Sequence, residues 1–262
     1  MYAQQLLDPL PIVVVFGLIA VALLIAFEGG FRVGRWWQEK TPDEKEGPTS
    51  MLVGSLLALM AFLLAVTMGM ASDRFDTRRG LVLEEANAIG TTYLRAGYLP
   101  QPYGADSREL LREYAPLRIN VADREQLAAN LARSTEIHAE LWAIAEELAR
   151  GTPESEVLGL YIETLNQMID VHETRATAIV VARVPETVLI LLIIGAALTM
   201  GMVGYSAGLT RRRSFLGAAV LVVVLAAVLT LVIDLARPRD GFLQVSQQPL
   251  RDLIEQIGPP SP

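Results

Sequence analysis

Apolar residues in this chain are gathered into four blocks, with polar sequence between them. The blocks run from about Ile12 to Phe27, Met51 to Ala71, Val188 to Tyr205 and Phe215 to Ile233. Each holds roughly 16–21 residues, close to the ~20 that a helix needs to cross ~30 Å of hydrocarbon. No Lys or Arg lies inside any block, where one would cost ~2.5–3.5 kcal/mol at the centre of a span. The pattern predicts four transmembrane helices. The first block is the shortest. MYAQQLLDPLP before it has no basic residue, and FEGGFRVGRWW after it offers no clear cleavage site, so it reads as a span and not as a signal peptide. It continues to Trp36 and Trp37, which suit the membrane interface.

The long polar segment, residues ~72–183, carries helical periodicity throughout and no alternating strand pattern. The second span runs on without a breaker as far as Tyr98, and residues 99–104 (LPQPYG) interrupt it. Asp106 or Ser107 is expected to cap the next helix, Asp123 the one after, and Gly151 to end that one. Thr152 with Pro153 is expected to open a further helix, whose apolar stripe is Leu158, Tyr161, Leu165, Met168 or Ile169, and His172. Pro185 marks a break before the third span. The segment thus reads as two long helices leaving the membrane with two shorter ones between them. The fold class is all-α: a polytopic membrane protein with four transmembrane helices in two hairpins and a central helical-bundle soluble domain. Its expected organisation is a first transmembrane helix and basic loop (1–50), a second transmembrane helix (51–71), an extramembrane helical domain (72–184), a transmembrane hairpin (185–235) and a C-terminal tail with an amphipathic segment (236–262).

Composition narrows the chemistry. Of the 262 residues 52% are hydrophobic, and the net charge of −7 argues against nucleic acid as a partner. No cysteine is present, so disulfides and thiolate chemistry are excluded. The two histidines, His138 and His172, have no Glu three residues before them, so the Glu-x-x-His pairs of a di-metal bundle are missing. Glu136, His138 and Glu140 are spaced by two and point around a helix. No phosphate-binding loop or serine elbow occurs. No metal, no cofactor and no enzyme activity are expected.

What remains is the membrane. Ser55, Ala58, Phe62, Ala65, Gly69 and Ser72 share one face of the second span. Such small residues serve close helix packing, or they line a narrow pore gated by Phe62 through dewetting. The candidate pore-lining set is Ser55, Phe62, Thr67, Gly69 and Ser72. Beyond the span, Arg74, Arg78, Arg79, Glu84 and Glu85 read either as the charged vestibule of a pore or as a salt-bridged stalk. Asp234 and Arg237 are spaced for an ion pair at the interface. Gly30-x-x-x-Gly34 and Gly204-x-x-x-Gly208 are weaker packing motifs. Arg32, Arg35, Lys40, Lys45 and Arg211 to Arg213 put most short-loop positive charge in the two hairpin loops. By that count the loops are cytoplasmic and the central domain lies outside, with Arg74, Arg78 and Arg79 pulling the other way.

The stretch SDRFDTRRGLVLEEANAIGTTYLRAGYLP (72–100) resembles the core of the DUF4239 family, labelled bestrophin-like, and DLARPRDGFLQVSQQPLRDL (234–253) resembles that family's terminal motif. The order hairpin, helical domain, hairpin fits as well. Bestrophins are pentameric chloride-type channels with four spans per subunit, a pore lined by the second span and a cytosolic central domain. The resemblance therefore implies a homo-oligomeric channel for a small anion, in a bacterial inner membrane, with the central domain in the cytosol. The alternative is a non-conducting sensor or scaffold whose helical domain binds a partner, with the tail docking on the bundle or on that partner. A transporter is disfavoured, because no charge or broken helix lies near the midplane.

Overall fold

The computed structural model describes residues 10–41, 46–119, 123–181, 184–210, 214–237 and 241–260. Lys45, Arg211, Arg212 and Arg213, which entered the charge count, lie outside them. Among the described residues eight helices follow in order: α1 (Ile12–Lys40), α2 (Glu46–Ala96), α3 (Tyr103–Leu117), α4 (Arg124–Gly151), α5 (Glu156–Val181), α6 (Glu186–Leu209), α7 (Phe215–Ala236) and α8 (Gln248–Ile257). Among the described residues all regular structure is helical. Helices α1, α2, α6 and α7 are each long and apolar enough to cross a membrane. The chain divides into two units, residues 1–75 with 183–244 and residues 76–182 with 245–262.

In the first unit α1 lies along α6. A stripe of Val15, Ile19, Leu23 and Phe27 on α1 is buried in one core with Leu189, Leu192, Ala196 and Met200 of α6 and Val222, Ala226 and Leu229 of α7. The two glycine motifs turn out to be halves of one contact. A methyl group on Gly30 or Gly34 would overlap the backbone of Gly201 or Tyr205, and one on Gly204 or Gly208 would overlap that of Phe27 or Phe31. The helices meet backbone to backbone there, which only glycine permits. Met60, Leu64 and Ala71 of α2 join the same core.

In the second unit the end of α2 packs with α3, α4, α5 and α8 around Ile89, Leu111, Tyr114, Ile137, Leu141, Tyr161, Leu165 and Met168. The tail helix α8 completes this core with Leu250, Leu253 and Ile257. Its last carbonyl, that of Ile257, accepts from Arg112 Nε at 3.0 Å. The docking surface for the amphipathic tail is thus the protein's own helical domain.

Three local expectations are corrected. Helix α3 starts at Tyr103, directly after Pro102, whose carbonyl accepts from the amides of Ala105 and Asp106. Asp106 therefore sits in the first turn, where its charge suits the helix dipole, and Ser107 is buried against the Tyr161 hydroxyl at 3.2 Å. Helix α5 starts at Glu156 and not at Pro153: Ser155 caps it, accepting from the Leu158 amide at 3.3 Å. Thr152 instead closes α4, its hydroxyl donating to the Leu148 carbonyl. Finally α4, with 28 residues, is not short. Asp123 does cap it, accepting from the Glu125 amide.

Candidate functional site

The apolar part of α2 is the least covered of the four membrane helices. Of its apolar window 17% is buried, against 28, 33 and 39% in α1, α6 and α7. Its inner side is Met60, Leu64, Thr67 and Ala71. Its outer side carries Ser55, Ala58, Phe62, Ala65 and Gly69, with Ser72 half-buried at the margin. Phe62 is 64% exposed, and a methyl group on Gly69 would meet nothing within 4 Å. The same outer side also exposes Leu52, Leu59, Val66 and Met70, while the open faces of α6 and α7 are dominated by large aliphatics such as Leu191, Ile194, Leu198, Val220 and Val224 without that run of small residues. Thr67 departs from the predicted set. It is buried on the inner side, and its hydroxyl donates to the Leu63 carbonyl of its own helix. The Ser55 hydroxyl likewise returns to the Met51 carbonyl.

The five charges after the span do not stay together. Arg74, Arg79 and Glu84 are exposed, while Arg78 and Glu85 are buried. Glu85 is 0% exposed, in the second unit, on the α2 stripe of Val82 and Ile89. Arg118, just after α3, donates to one of its carboxylate oxygens at 2.6 Å. Arg175 of α5 pairs with the other oxygen. Arg175 also donates to the Arg118 carbonyl at 3.1 Å and to Gln247 Oε1, just before α8, at 3.0 Å.

Next to this ion cluster lie three rings. The Tyr114 hydroxyl is hydrogen-bonded to His172 Nδ1 at 3.1 Å, and the His138 and His172 rings meet edge to face with centroids 4.7 Å apart. Burial, reinforced by the Arg118 charge, pushes the His138 imidazole down to about 4, with Glu85 opposing. Burial, Arg118, His138 and Arg175 push His172 down to about 3. Burial also raises the Tyr114 phenol. Both imidazoles are thus neutral near pH 7. Glu136 and Glu140 turn away from His138 and bind Arg133 at 3.2 and 2.6 Å. Among the described residues no three metal-ligating side chains gather.

Asp234 and Arg237 take separate partners. The Asp234 carboxylate accepts the amides of Phe242 and Leu243, each at 3.0 Å, and Gly241 packs so closely on it that a methyl group there would overlap it. Arg237 donates to the Leu10 carbonyl at 2.8 Å. Among the described residues the two side chains of the expected pair do not meet, and the Asp234 carboxylate is taken up by backbone amides.

Sequence reasoning missed Arg118, Arg175 and Gln247. A signal for the arginines exists: Ser107, Leu111 and Tyr114 lead by helical steps to Arg118, and Met168 and His172 lead to Arg175. Each arginine lies on a buried stripe.

The Bestrophin-like domain matches residues 12–250 of the chain. Two single-substitution variants of a bacterial bestrophin homologue from Klebsiella pneumoniae share the fold, with TM-scores of 0.63 and 0.64, 17% identity, and 94% of this chain and 96% of theirs covered. A further structure of a bacterial bestrophin homologue from that organism, phased on zinc, matches with a TM-score of 0.63 at 16% identity, covering 94% of this chain and 95% of its own. No curated protein sequence matches the chain.

Proposed function

Because the chain belongs to the bestrophin-like family, we propose that it is a homo-oligomeric ion channel whose pathway is lined by the outer face of α2. The observation that carries this is the composition of that face. Alongside the exposed aliphatics Leu52, Leu59, Val66 and Met70, α2 presents a run of small residues, Ser55, Ala58, Ala65 and Gly69, around a single exposed aromatic, Phe62, a run that the open faces of α6 and α7 do not match. Small residues let copies of a helix approach a common axis, and an apolar ring at Phe62 gates by dewetting. A ring of five is the arrangement the bestrophin resemblance implies, and the motifs at 72–100 and 234–253 support the narrower DUF4239 assignment. Thr67 drops out of the lining, and Ser72 stands at its edge.

Arg74, Arg79 and Glu84 remain as vestibule charges, while Glu85 and Arg78 serve the interior of the domain. Arginine rings alone favour a small anion. The second unit, however, holds 19 Asp and Glu against 11 Arg, and such a field concentrates cations. For orientation, charges within about 15 residues of the spans count as well. On the domain side these are Arg74, Arg78, Arg79, Arg175, Arg183, Arg237, Arg239 and Arg251, which offset the seven in the hairpin loops. That balance is compatible with the cytosolic domain that the bestrophin resemblance implies.

The test is ion flux through purified protein in liposomes under potassium and chloride gradients, together with its size under gentle detergent conditions. The reading predicts a discrete oligomer and protein-dependent flux that rises in Phe62→Ala. A monomer, or well-inserted protein with no flux, would overturn it in favour of the anchored sensor.

A further inference from the structure

A cavity of about 400 Å³ opens in the second unit, where the turn after α2 meets the start of α3. We propose that it binds a small zwitterion, a molecule with one carboxylate and one ammonium group such as a free amino acid. Arg108 holds the carboxylate and Asp106 the ammonium. The proposal does not depend on whether the chain conducts.

The size of the cavity falls within the ~300–1,000 Å³ of small-molecule sites. Two arginines stand on its wall about one helical turn apart, and they are engaged differently. Every guanidinium nitrogen of Arg112 is bonded within the protein. Its Nε donates to the Ile257 carbonyl at 3.0 Å, Nη1 to Glu109 at 3.2 Å and Nη2 to the Tyr93 hydroxyl at 2.7 Å. Arg108 engages only Nε, which donates to the Tyr93 carbonyl at 3.2 Å. Its guanidinium lies over the Tyr93 ring, 5.0 Å from the centroid, and against Gly97, where a methyl group would overlap it. The side chain is thus held on three sides, while Nη1 and Nη2 have no protein partner among the described residues. A guanidinium fixed in this way has already lost the rotamer freedom that binding would otherwise remove. Its fork matches a carboxylate in two parallel hydrogen bonds. The opposite charge stands on the same wall. Asp106 is exposed there, and among the described residues its carboxylate pairs with no side chain, Arg108 included. Glu109, shared with Arg112, adds a second acid. These carboxylates repel a phosphate or a dicarboxylate that Arg108 alone would accept, and an ammonium group is their complement. The Gln101 amide, also on the wall, can serve either end of the ligand.

The test is isothermal titration of the full-length protein in detergent. The probes are the zwitterions L-alanine, β-alanine and L-glutamine, the single-charge compounds propionate and ethylamine, and inorganic phosphate. The proposal predicts saturable binding of at least one zwitterion, about tenfold or more tighter than propionate, ethylamine or phosphate, the factor that one charged hydrogen bond contributes. Arg108→Gln should weaken that binding at least about tenfold by the same reasoning. Asp106→Asn should weaken the zwitterion while propionate binds as before or more tightly, a reversal that a damaged fold would not produce. Gly97→Ala needs only the far end of Arg108 to move. It should therefore keep the wild-type melting temperature and still weaken the zwitterion several-fold. Three results would each overturn the proposal: propionate or phosphate binding as tightly as the zwitterions, a zwitterion affinity unmoved by Arg108→Gln, or no binding of any zwitterion up to about 20 mM. If Arg108→Gln does not fold, Arg108→Lys, which keeps the charge and loses the fork, takes its place beside Gly97→Ala.

Discussion

Gly204 sits where α6 presses on the backbone of Phe27, with no room for a methyl group. Gly204→Ala is therefore expected to destabilise the first unit by about 1–3 kcal/mol, the usual cost of overpacking. Gly69→Ala has open space within the chain and should not lower the stability of the first unit. Thermal unfolding of the two variants in detergent separates them. The histidines give a second prediction at this scale. Folded-state values of about 4 for His138 and about 3 for His172 lie below the ordinary 6.5. The unfolded chain therefore takes up protons first as the pH falls. Stability due to neutral imidazoles is complete above about 6.5 and shrinks below it, by on the order of 1–2 kcal/mol per histidine at pH 5. Melting curves at pH 7 and pH 5 should show this loss, and His172→Gln should lessen it. An equal loss in that variant would assign the effect to other groups.

At the scale of the element, periodicity carried most of the architecture. Four apolar blocks became α1, α2, α6 and α7, and the unbroken reading from the second span to Ala96 holds because no breaker precedes residues 99–104. Helix starts were less legible. Asp106, Ser107 and Thr152 are good caps in isolation, but Pro102 opens α3 earlier, and Thr152 is used by the helix that precedes it. Ser155→Ala should accordingly cost about 1 kcal/mol, the worth of a lost N-cap, and Asp106→Ala less. Chemical denaturation of both variants checks the order. Glu84 and Glu85 show the limit of local reading. Their spacing places Glu85 with Val82 and Ile89 on the buried stripe, so its burial was legible. Its partners lie 33 and 90 residues away, and no periodicity connects positions so distant.

At the scale of the whole molecule, charge is divided unequally. The overall −7 resides in the second unit, at 11 positive against 19 negative residues, while the rest of the chain is nearly balanced. A channel built from such a chain is expected to pass potassium in preference to chloride, with a selectivity that weakens as salt screens the field. Reversal potentials under a salt gradient give the sign, and a chloride-directed shift would show that Arg74 and Arg79 outweigh the domain. The central claim, that the outer face of α2 lines the pathway, is tested most directly by blocking it. Ser55→Cys and Leu191→Cys each place one thiol in an otherwise cysteine-free protein, the first on that face and the second on the aliphatic face of α6. A charged thiol reagent should abolish flux through Ser55→Cys and leave Leu191→Cys untouched. Block at Leu191 with none at Ser55, in proteins that both conduct before treatment, would contradict the account.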